Sequence, residues 1–416
     1  MKNRNVSIWF IKRLSFALYL FFFSLLIFSC SSNKKSTTAS NYIDVEKAVG
    51  SGEILNLSDY ASDIEYIPLE TNKMSVLGTI RDIAYRSNKI YVRDNNNVVK
   101  IFDNSGKYLS TIDRNGRGPE EYNSIGWSSP SPCGRGVYVL DSSGDLFLYD
   151  HNGLFVEKRE FPKEEYMRFS SFTFLDSGFI AAAHALDMSA ISAGKIKHTL
   201  FLLDNSLNVI DKKSFFQEGG IKTTMDGDKI ISISISIKNI YLHNYENQVR
   251  FLFNSQDTIH TVNREAVFKD AFVLNLGKYK DSEAAPDHMP DNLSEFIKLS
   301  PPFFETDNHL YLQFDFGENA PEKVVTERLG INGEIIPTTD AIVNAIFNKQ
   351  SGKLILLDRP SLNKKGFLED IKGGHPFWPR FMGANGELMA YINAYEFDDA
   401  AEDDNPVVVI VKPKKQ

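Results

Sequence analysis

Residues 90–122 read IYVRDNNNVVKIFDNSGKYLSTIDRNGRGPEEY. Ile90-Tyr91-Val92 is a short apolar run, and Asp94-Asn95-Asn96-Asn97 is a turn. Residues 98–102 form a second run, which Asp103-Asn104-Ser105-Gly106 turns back into a third over 108–112. Arg114-Asn115-Gly116-Arg117-Gly118-Pro119-Glu120-Glu121-Tyr122 then leaves as a glycine- and charge-rich loop. Runs of β-branched and aromatic residues between Asp, Asn and Gly clusters predict antiparallel strands joined by tight turns. The unit is one blade with its exit loop.

The unit recurs. Phe102-Asp103-Asn104-Ser105-Gly106-Lys107-Tyr108-Leu109 is matched by Tyr149-Asp150-His151-Asn152-Gly153-Leu154-Phe155-Val156, then by Leu203-Asp204-Asn205-Ser206-Leu207-Asn208-Val209-Ile210, where the glycine is lost. Val137-Tyr138-Val139-Leu140-Asp141 likewise matches Ile90-Tyr91-Val92-Arg93-Asp94. The aspartates step by about 47 and then about 54 residues, close to the blade length of propellers. Asp and Asn side chains cap such turns, and Gly takes the φ > 0 position. A β-sandwich would not give strand-turn-strand units at this spacing. The expected fold is therefore all-β, a six-bladed β-propeller with a short helical insertion, preceded by a signal peptide and a flexible tether.

Upstream, Ile64-Glu65-Tyr66-Ile67-Pro68-Leu69-Glu70-Thr71 is a strand whose proline removes a ladder donor. It suits an edge position where it would complete the last blade and close the ring, and residues 80–85 begin the first blade. Downstream, residues 230–237 alternate Ser with Ile as a half-buried strand. Residues 249–253 and 258–262 are expected to continue that blade, and 272–276 to open the next. Residues 291–297, starting at a cap-like Asp291-Asn292, predict the short helix. Residues 398–404 predict an acidic hairpin tip.

The first residues read as an address. Lys2, Arg4, Lys12 and Arg13 precede a nearly unbroken apolar run over 14–28. That run is shorter than the roughly 20 residues of a membrane span and suits a signal peptide. It ends in Ile27-Phe28-Ser29-Cys30, which resembles the lipobox of bacterial lipoproteins. The resemblance implies cleavage before Cys30, lipidation of Cys30 and anchoring in the membrane through it. Ser31 after that cysteine implies the outer membrane. With no acidic export cluster in the tether, a periplasm-facing anchor is expected, with surface exposure as the other option. The expected division is 1–29 signal peptide, 30–52 lipidated Cys30 and tether, and 53–416 propeller.

Composition narrows the function classes. Aromatics are 12% of the chain, with 31 Phe, which suits half-buried pleated sheets. Loss of the leader's four basic residues takes the net charge from −8 to −12. No basic stripe interrupts this acidity, so no nucleic acid is expected as a partner. Of the two cysteines, Cys30 is assigned to lipid, and Cys133 has no disulfide partner. It is read as incidental.

Four further stretches resemble one family. Tyr66-Ile67-Pro68-Leu69-Glu70-Thr71, Gly116-Arg117-Gly118-Pro119-Glu120-Glu121-Tyr122, Asp257-Thr258-Ile259 and Asp370-Ile371-Lys372-Gly373-Gly374-His375-Pro376-Phe377-Trp378-Pro379 together resemble the six-bladed β-propeller lipoproteins related to NHL and TolB-like propellers. This resemblance implies a six-bladed ring and a cell-envelope location. It implies no activity, because members of the family are largely uncharacterised.

Two loops are the candidate ligand sites. In the first, Arg114, Arg117, Glu120, Glu121 and Tyr122 sit among glycines, which let a ligand approach the backbone. Arginine grips carboxylates or phosphates bidentately. A purely structural reading has Arg117 pairing with Glu120 or Glu121 to fix the crossover. In the second, Asp370, His375, Phe377, Trp378 and Arg380 would present aromatic faces to a ring-shaped ligand. The structural reading there is that Phe377 and Trp378 plug between blades.

No His-Glu-x-x-His, Gly-x-Ser-x-Gly or phosphate-loop pattern occurs, so no catalytic or metal residues are assigned. No cofactor is expected. A calcium ion in the channel is conceivable by analogy with other propellers, but Asp94-Asn95-Asn96-Asn97 lacks the spacing and bidentate Glu of a calcium loop. The expected function is a membrane-tethered envelope propeller that binds a glycan, small molecule or protein without catalysis. The alternatives are a metal-dependent hydrolase or lyase working in the channel, and a structural component of an envelope complex.

Overall fold

The computed structural model describes residues 41–415, apart from 163–166, 176–177, 186–194, 218–220, 227–228, 254–256, 281–294, 323, 330–334 and 361–364. The signal peptide, Cys30 and the first part of the tether lie outside these residues, as does most of the helix expected over 291–297. Its last residues, Glu295, Phe296 and Ile297, are not helical.

Three short N-terminal strands come first: β1 (Tyr42–Asp44), β2 (Gly52–Glu53) and β3 (Ala61–Pro68). Blade 1 follows as a four-stranded meander: β4 (Ile80–Arg86), β5 (Lys89–Asp94), β6 (Val99–Asp103) and β7 (Tyr108–Ile112). Blade 2 is β8 (Ile125–Pro130), β9 (Val137–Asp141), β10 (Asp145–Tyr149) and β11 (Phe155–Glu160). Blade 3 is β12 (Met167–Leu175), β13 (Gly178–Ala185), β14 (Ile196–Asp204) and β15 (Val209–Gln217).

A hairpin of β16 (Ile221–Asp226) and β17 (Lys229–Ile235) separates blades 3 and 4. Blade 4 is β18 (Tyr241–Tyr245), β19 (Gln248–Leu252), β20 (Thr258–Val262) and β21 (Phe268–Asn275). Blade 5 is β22 (Lys298–Glu305), β23 (His309–Asp315), β26 (Ile342–Asn348) and β27 (Leu354–Leu357). A second hairpin, β24 (Val324–Leu329) with β25 (Ile335–Asp340), is inserted between its second and third strands. Blade 6 is β28 (Phe381–Met382), β29 (Leu388–Ile392) and β30 (Val407–Pro413), completed by β3.

The ring is thus six-bladed, and the expected closure holds: β3 pairs antiparallel with β30, Tyr66 facing Val409. Two expectations are corrected. Residues 230–237 do not belong to blade 4, because β17 takes β16 as its partner. Residues 272–276 do not open a blade, because β21 pairs with β20 and forms the outer edge of blade 4.

The boundary at residue 53 also moves. β1 pairs in parallel with β21, and β2 with β27, so part of the supposed tether is ring. Ile43 and Val45 are fully buried, and an unpaired outer strand gains from being covered. Asp44 accepts hydrogen bonds from the Lys47 amide (3.2 Å) and from Asn275 Nδ2 (3.0 Å), fixing this belt to blade 4.

The apolar core forms six slabs, one between each pair of neighbouring blades. Middle strands are flanked on both faces, which is why all five residues of β9 are buried.

The repeated Asp turn recurs atom for atom. Asp103 Oδ1 accepts from the amides of Ser105 (2.8 Å) and Lys107 (3.0 Å), Asp150 Oδ1 from Asn152 (2.8 Å) and Leu154 (2.9 Å), and Asp204 Oδ1 from Ser206 and Asn208 (both 2.8 Å). The left-handed position is Gly106 (φ 87°), Gly153 (φ 77°) and, where the glycine is lost, Leu207 (φ 65°). Leu207 tolerates it because its side chain is buried in the slab between blades 2 and 3.

Candidate functional site

The innermost strands β4, β8, β12, β18, β22 and β28 surround a central channel. Its cavity holds about 810 Å³ and is lined from all six blades. Asp82, Arg86, Trp127, His243, Tyr245 and Arg380 are among its polar and aromatic walls. Enclosure by protein pushes Asp82 up to about 6, against the opposing pull of Arg93 across the β4–β5 pair. Arg93 lies 5.7 Å from the Trp127 ring, and its buried Nε has no hydrogen-bond partner.

His243 is neutral. Its Nε2 accepts the Glu305 amide at 3.0 Å, and burial pushes the ring down to about 4. Its other neighbours are the edges of Phe303 and Phe304, both at 5.8 Å. Behind it stands a buried charge cluster. Arg250 donates to Glu305 through Nε (2.6 Å) and Nη2 (3.3 Å), and Lys349 Nζ donates to the same carboxylate at 2.8 Å. Lys349 also donates to the Tyr245 hydroxyl at 3.1 Å and sits 4.4 Å from the ring centre. Burial, then the Glu305 charge, raises the Tyr245 pKa, so its proton is retained. The Glu246 and Asp307 carboxylates on the same wall also act on Tyr245 and balance the two cations.

The two loops singled out from sequence lie apart from each other. The first joins blade 1 to blade 2, the second blade 5 to blade 6. In the first, Tyr122 is completely buried, so it is no ligand contact. Its hydroxyl donates to the carbonyls of Asn97 (3.0 Å) and Ile112 (3.3 Å), and its ring meets Tyr149 edge-on. Arg114 Nε donates to the Gly153 carbonyl at 3.1 Å. Glu121 accepts from the Gly118 amide at 2.8 Å, and a Cβ on Gly116 would meet that carboxylate at 1.9 Å. The glycines admit Glu121 rather than an outside molecule. Glu120 is exposed while its carbonyl accepts from Tyr149 Oη at 2.8 Å. Arg117 is exposed, and among the described residues it forms no ion pair with Glu120 or Glu121.

In the second loop, Phe377 and Trp378 are buried in the slab between blades 5 and 6. Trp378 stacks on Phe367 at 5.7 Å and meets Tyr311 at 6.1 Å. The expectation of an open aromatic platform is corrected: these rings cannot face a ligand. Asp370 is taken up by Ser58, accepting from its amide (2.8 Å) and hydroxyl (2.6 Å). His375 packs edge-on against Phe397 at 4.9 Å, with Glu396 3.8 Å away. Arg380 alone of this set reaches the channel, its guanidinium 5.3 Å from the Tyr391 ring.

The loop is organised by a residue outside that set. Buried Glu369 accepts from the amides of Ile371 (2.8 Å), Lys372 (2.7 Å) and Gly374, and from the Tyr66 hydroxyl (3.2 Å). Burial raises its pKa, yet these donors hold it below its ordinary value. Among the described residues no three His, Cys, Asp or Glu side chains converge to hold a metal. Apart from Arg380, the channel residues were not read from the sequence. A charge inside a strand, as at Arg81-Asp82, is the one signal that marks them.

Among solved structures the chain is similar to a candidate exported protein of Bacteroides fragilis, with 15% identity, TM-score 0.54, and coverage of 90% of this chain and 99% of that one. It is also similar to a member of the DUF4221 family from Bacteroides vulgatus, at 15% identity, TM-score 0.47, and coverage of 88% and 99%. No curated protein matches its sequence. A family model described as a domain of unknown function, DUF4934, matches residues 40–412.

Proposed function

The chain belongs to the DUF4934 family, and from that premise we propose that it is an exported, membrane-tethered propeller that binds a ligand in its central channel without transforming it. The tether is the lipid on Cys30, and the location is the periplasmic side of the outer membrane. The leader and the lipobox-like Ile27-Phe28-Ser29-Cys30 support this address. So does the likeness to a protein described as a candidate for export. Kinship with NHL and TolB-like propellers belongs to the same proposal.

The observation that carries the binding reading is the cavity of about 810 Å³ reached by all six blades. Ligand pockets of this kind combine apolar walls with a few placed polar groups. Two of the channel's titratable groups are already occupied. His243 Nε2 takes the Glu305 amide, and Glu305 is held by Arg250 and Lys349. They shape the channel and hold charge in it.

Trp127 in the channel wall is the reporter. After loss of the leader, the other tryptophan is the buried Trp378. Titration of the protein with saccharide and metabolite collections and with envelope extracts is expected to change Trp127 emission. Trp127→Phe removes the response and Trp378→Phe keeps it. A complete absence of response, with no change in melting temperature, overturns the reading. For the anchor, Cys30→Ala is expected to abolish incorporation of labelled fatty acid and to release the protein from the membrane.

A further inference from the structure

Beside the channel, on the face where the first and second strands of each blade turn, lies a groove of about 770 Å³. It shares Arg86, Phe174, Asn244 and Asn247 with the channel wall. Its lining contains three arginines, Arg86, Arg135 and Arg159, and no carboxylate. That is unexpected in a chain with 54 acidic and 46 basic residues.

The three guanidiniums are held differently. Arg159 is fixed: Nη1 donates to the Asn205 carbonyl at 2.9 Å and Nη2 to the Tyr138 hydroxyl at 2.7 Å. Its plane lies over Tyr138 and Phe179, 5.4 and 5.5 Å from the ring centres. Arg135 and Arg159 share one acid, Glu157, each at 3.5 Å. The half-buried Arg86 guanidinium has no hydrogen bond or ion pair among the described residues, and burial pushes its pKa down. Glu157 beside two of the guanidiniums and Glu387, which acts on Arg86 without an ion pair, leave one positive charge of the three to be met from outside. Arginine meets carboxylate or sulfate oxygens with paired, charge-assisted bonds.

The groove also offers acceptors. Asn244 spends its Nδ2 on the Phe174 carbonyl at 2.6 Å, which leaves its side-chain oxygen to a donor. A bare anion brings no donor, whereas a hydroxyl both donates and accepts. We infer that this groove binds an acidic saccharide, its anionic substituent on Arg86 and Arg135 and a hydroxyl on the Asn244 side-chain oxygen. This rests on the binding reading above and names the ligand class for a compartment continuous with the channel.

The test is calorimetric titration of the full chain in detergent at low salt with four probes: oligogalacturonate, a heparin hexasaccharide, a neutral malto-oligosaccharide and inorganic sulfate. One acidic saccharide is expected to bind at least about tenfold more tightly than the neutral sugar and sulfate, and to weaken in high salt. The carboxylated and sulfated arms identify the substituent. Arg86→Gln is expected to weaken binding about tenfold or more. Exposed Arg135→Gln serves as a second variant should the first lose melting temperature.

Cys133 gives an independent readout. Its thiol lies at the groove, 3.0 Å from Ser131 Oγ and 3.4 Å from Arg135 Nε, so bound saccharide is expected to slow its alkylation. Neutral sugar or sulfate binding as tightly as both acidic probes overturns the inference. Unchanged affinity in both arginine variants does so too. A different ligand that still quenches Trp127 would leave the channel reading intact. Loss of every response removes both.

Discussion

Blades 1 to 3 and blades 4 to 6 are built by different means. The first three are plain meanders, each ending in an outer strand with no further partner among the described residues, and each third strand turns through the same Asp-anchored bend. Blades 4 and 5 turn at the same place on an asparagine, Asn263 Oδ1 accepting from the Val267 amide (3.0 Å) and Asn348 Oδ1 from the amides of Gln350 (3.0 Å) and Ser351 (2.8 Å), and each also receives a belt strand from the N-terminus. Blade 6 has no outer strand of its own until β3 supplies one. The slab between blades 4 and 5 also flanks a buried ionic cluster of Arg250, Glu305 and Lys349. Local turn chemistry serves the first half alone, whereas the second half adds contacts between residues distant in sequence.

The sharpest way to break this contrast is to remove the ionic cluster. Glu305→Ala leaves Arg250 and Lys349 buried without their counter-charge and is expected to cost about 3–5 kcal/mol, read by chemical denaturation. A cost below about 1 kcal/mol would show the cluster to be incidental to the belted half.

The matching test in the regular half is Gly106→Ala. A Cβ there would lie 2.0 Å from the Pro68 carbonyl oxygen, at φ 87°, and an expected loss of about 3 kcal/mol follows. Because Gly106 abuts β3, this turn also touches the closing strand, and its loss would be felt at the seam between blades 6 and 1.

A smaller effect is expected where the belt begins. Ile43 is fully buried, and Ile43→Ala is expected to cost about 2 kcal/mol. Hydrogen exchange should quicken in β21 and remain unchanged in β7, β11 and β15. Uniform acceleration across the ring would contradict the idea that the belt stabilises blade by blade.

The smallest effect is a pH dependence. His243 has its pKa lowered from 6.5 to about 4, so the unfolded chain binds the extra proton first. Its contribution is therefore fully present above pH 6.5 and is lost as pH falls toward 4. Asp82, raised from 3.8 to about 6, acts oppositely. Its contribution is present below pH 3.8 and lost as pH rises through 6. Asp82→Asn is expected to steepen the acid-side fall in melting temperature, and His243→Asn to flatten it.

The same contrast explains what could be read from the sequence. The turns at Asp103, Asp150 and Asp204 are made by residues within four positions of one another, so their chemistry is visible in the chain. Closure by β3 was legible because Pro68 marks an edge. The belt was not, since Asp44 meets Asn275 across 231 residues, and Tyr42-Ile43-Asp44 looks like the end of a tether. Residues 230–237 misled because alternation reports a half-buried strand without naming its partner. Phe377 and Trp378 misled because Gly373, Gly374 and Pro376 suggest an open loop, whereas Glu369 gathers that backbone and turns the rings inward. The channel residues come a few from each inner strand, so no local spacing announces them.

The seam at β3 also sets an order of events during synthesis. Ser62 Oγ donates to the Lys412 carbonyl, 350 residues later in the chain. The strand made near the start has no partner until nearly the last residue has emerged. Through most of synthesis the ring is an open arc with an unsatisfied edge at each end, the kind of species that aggregates or recruits a chaperone. Truncation anywhere before residue 407 would leave that arc open for good.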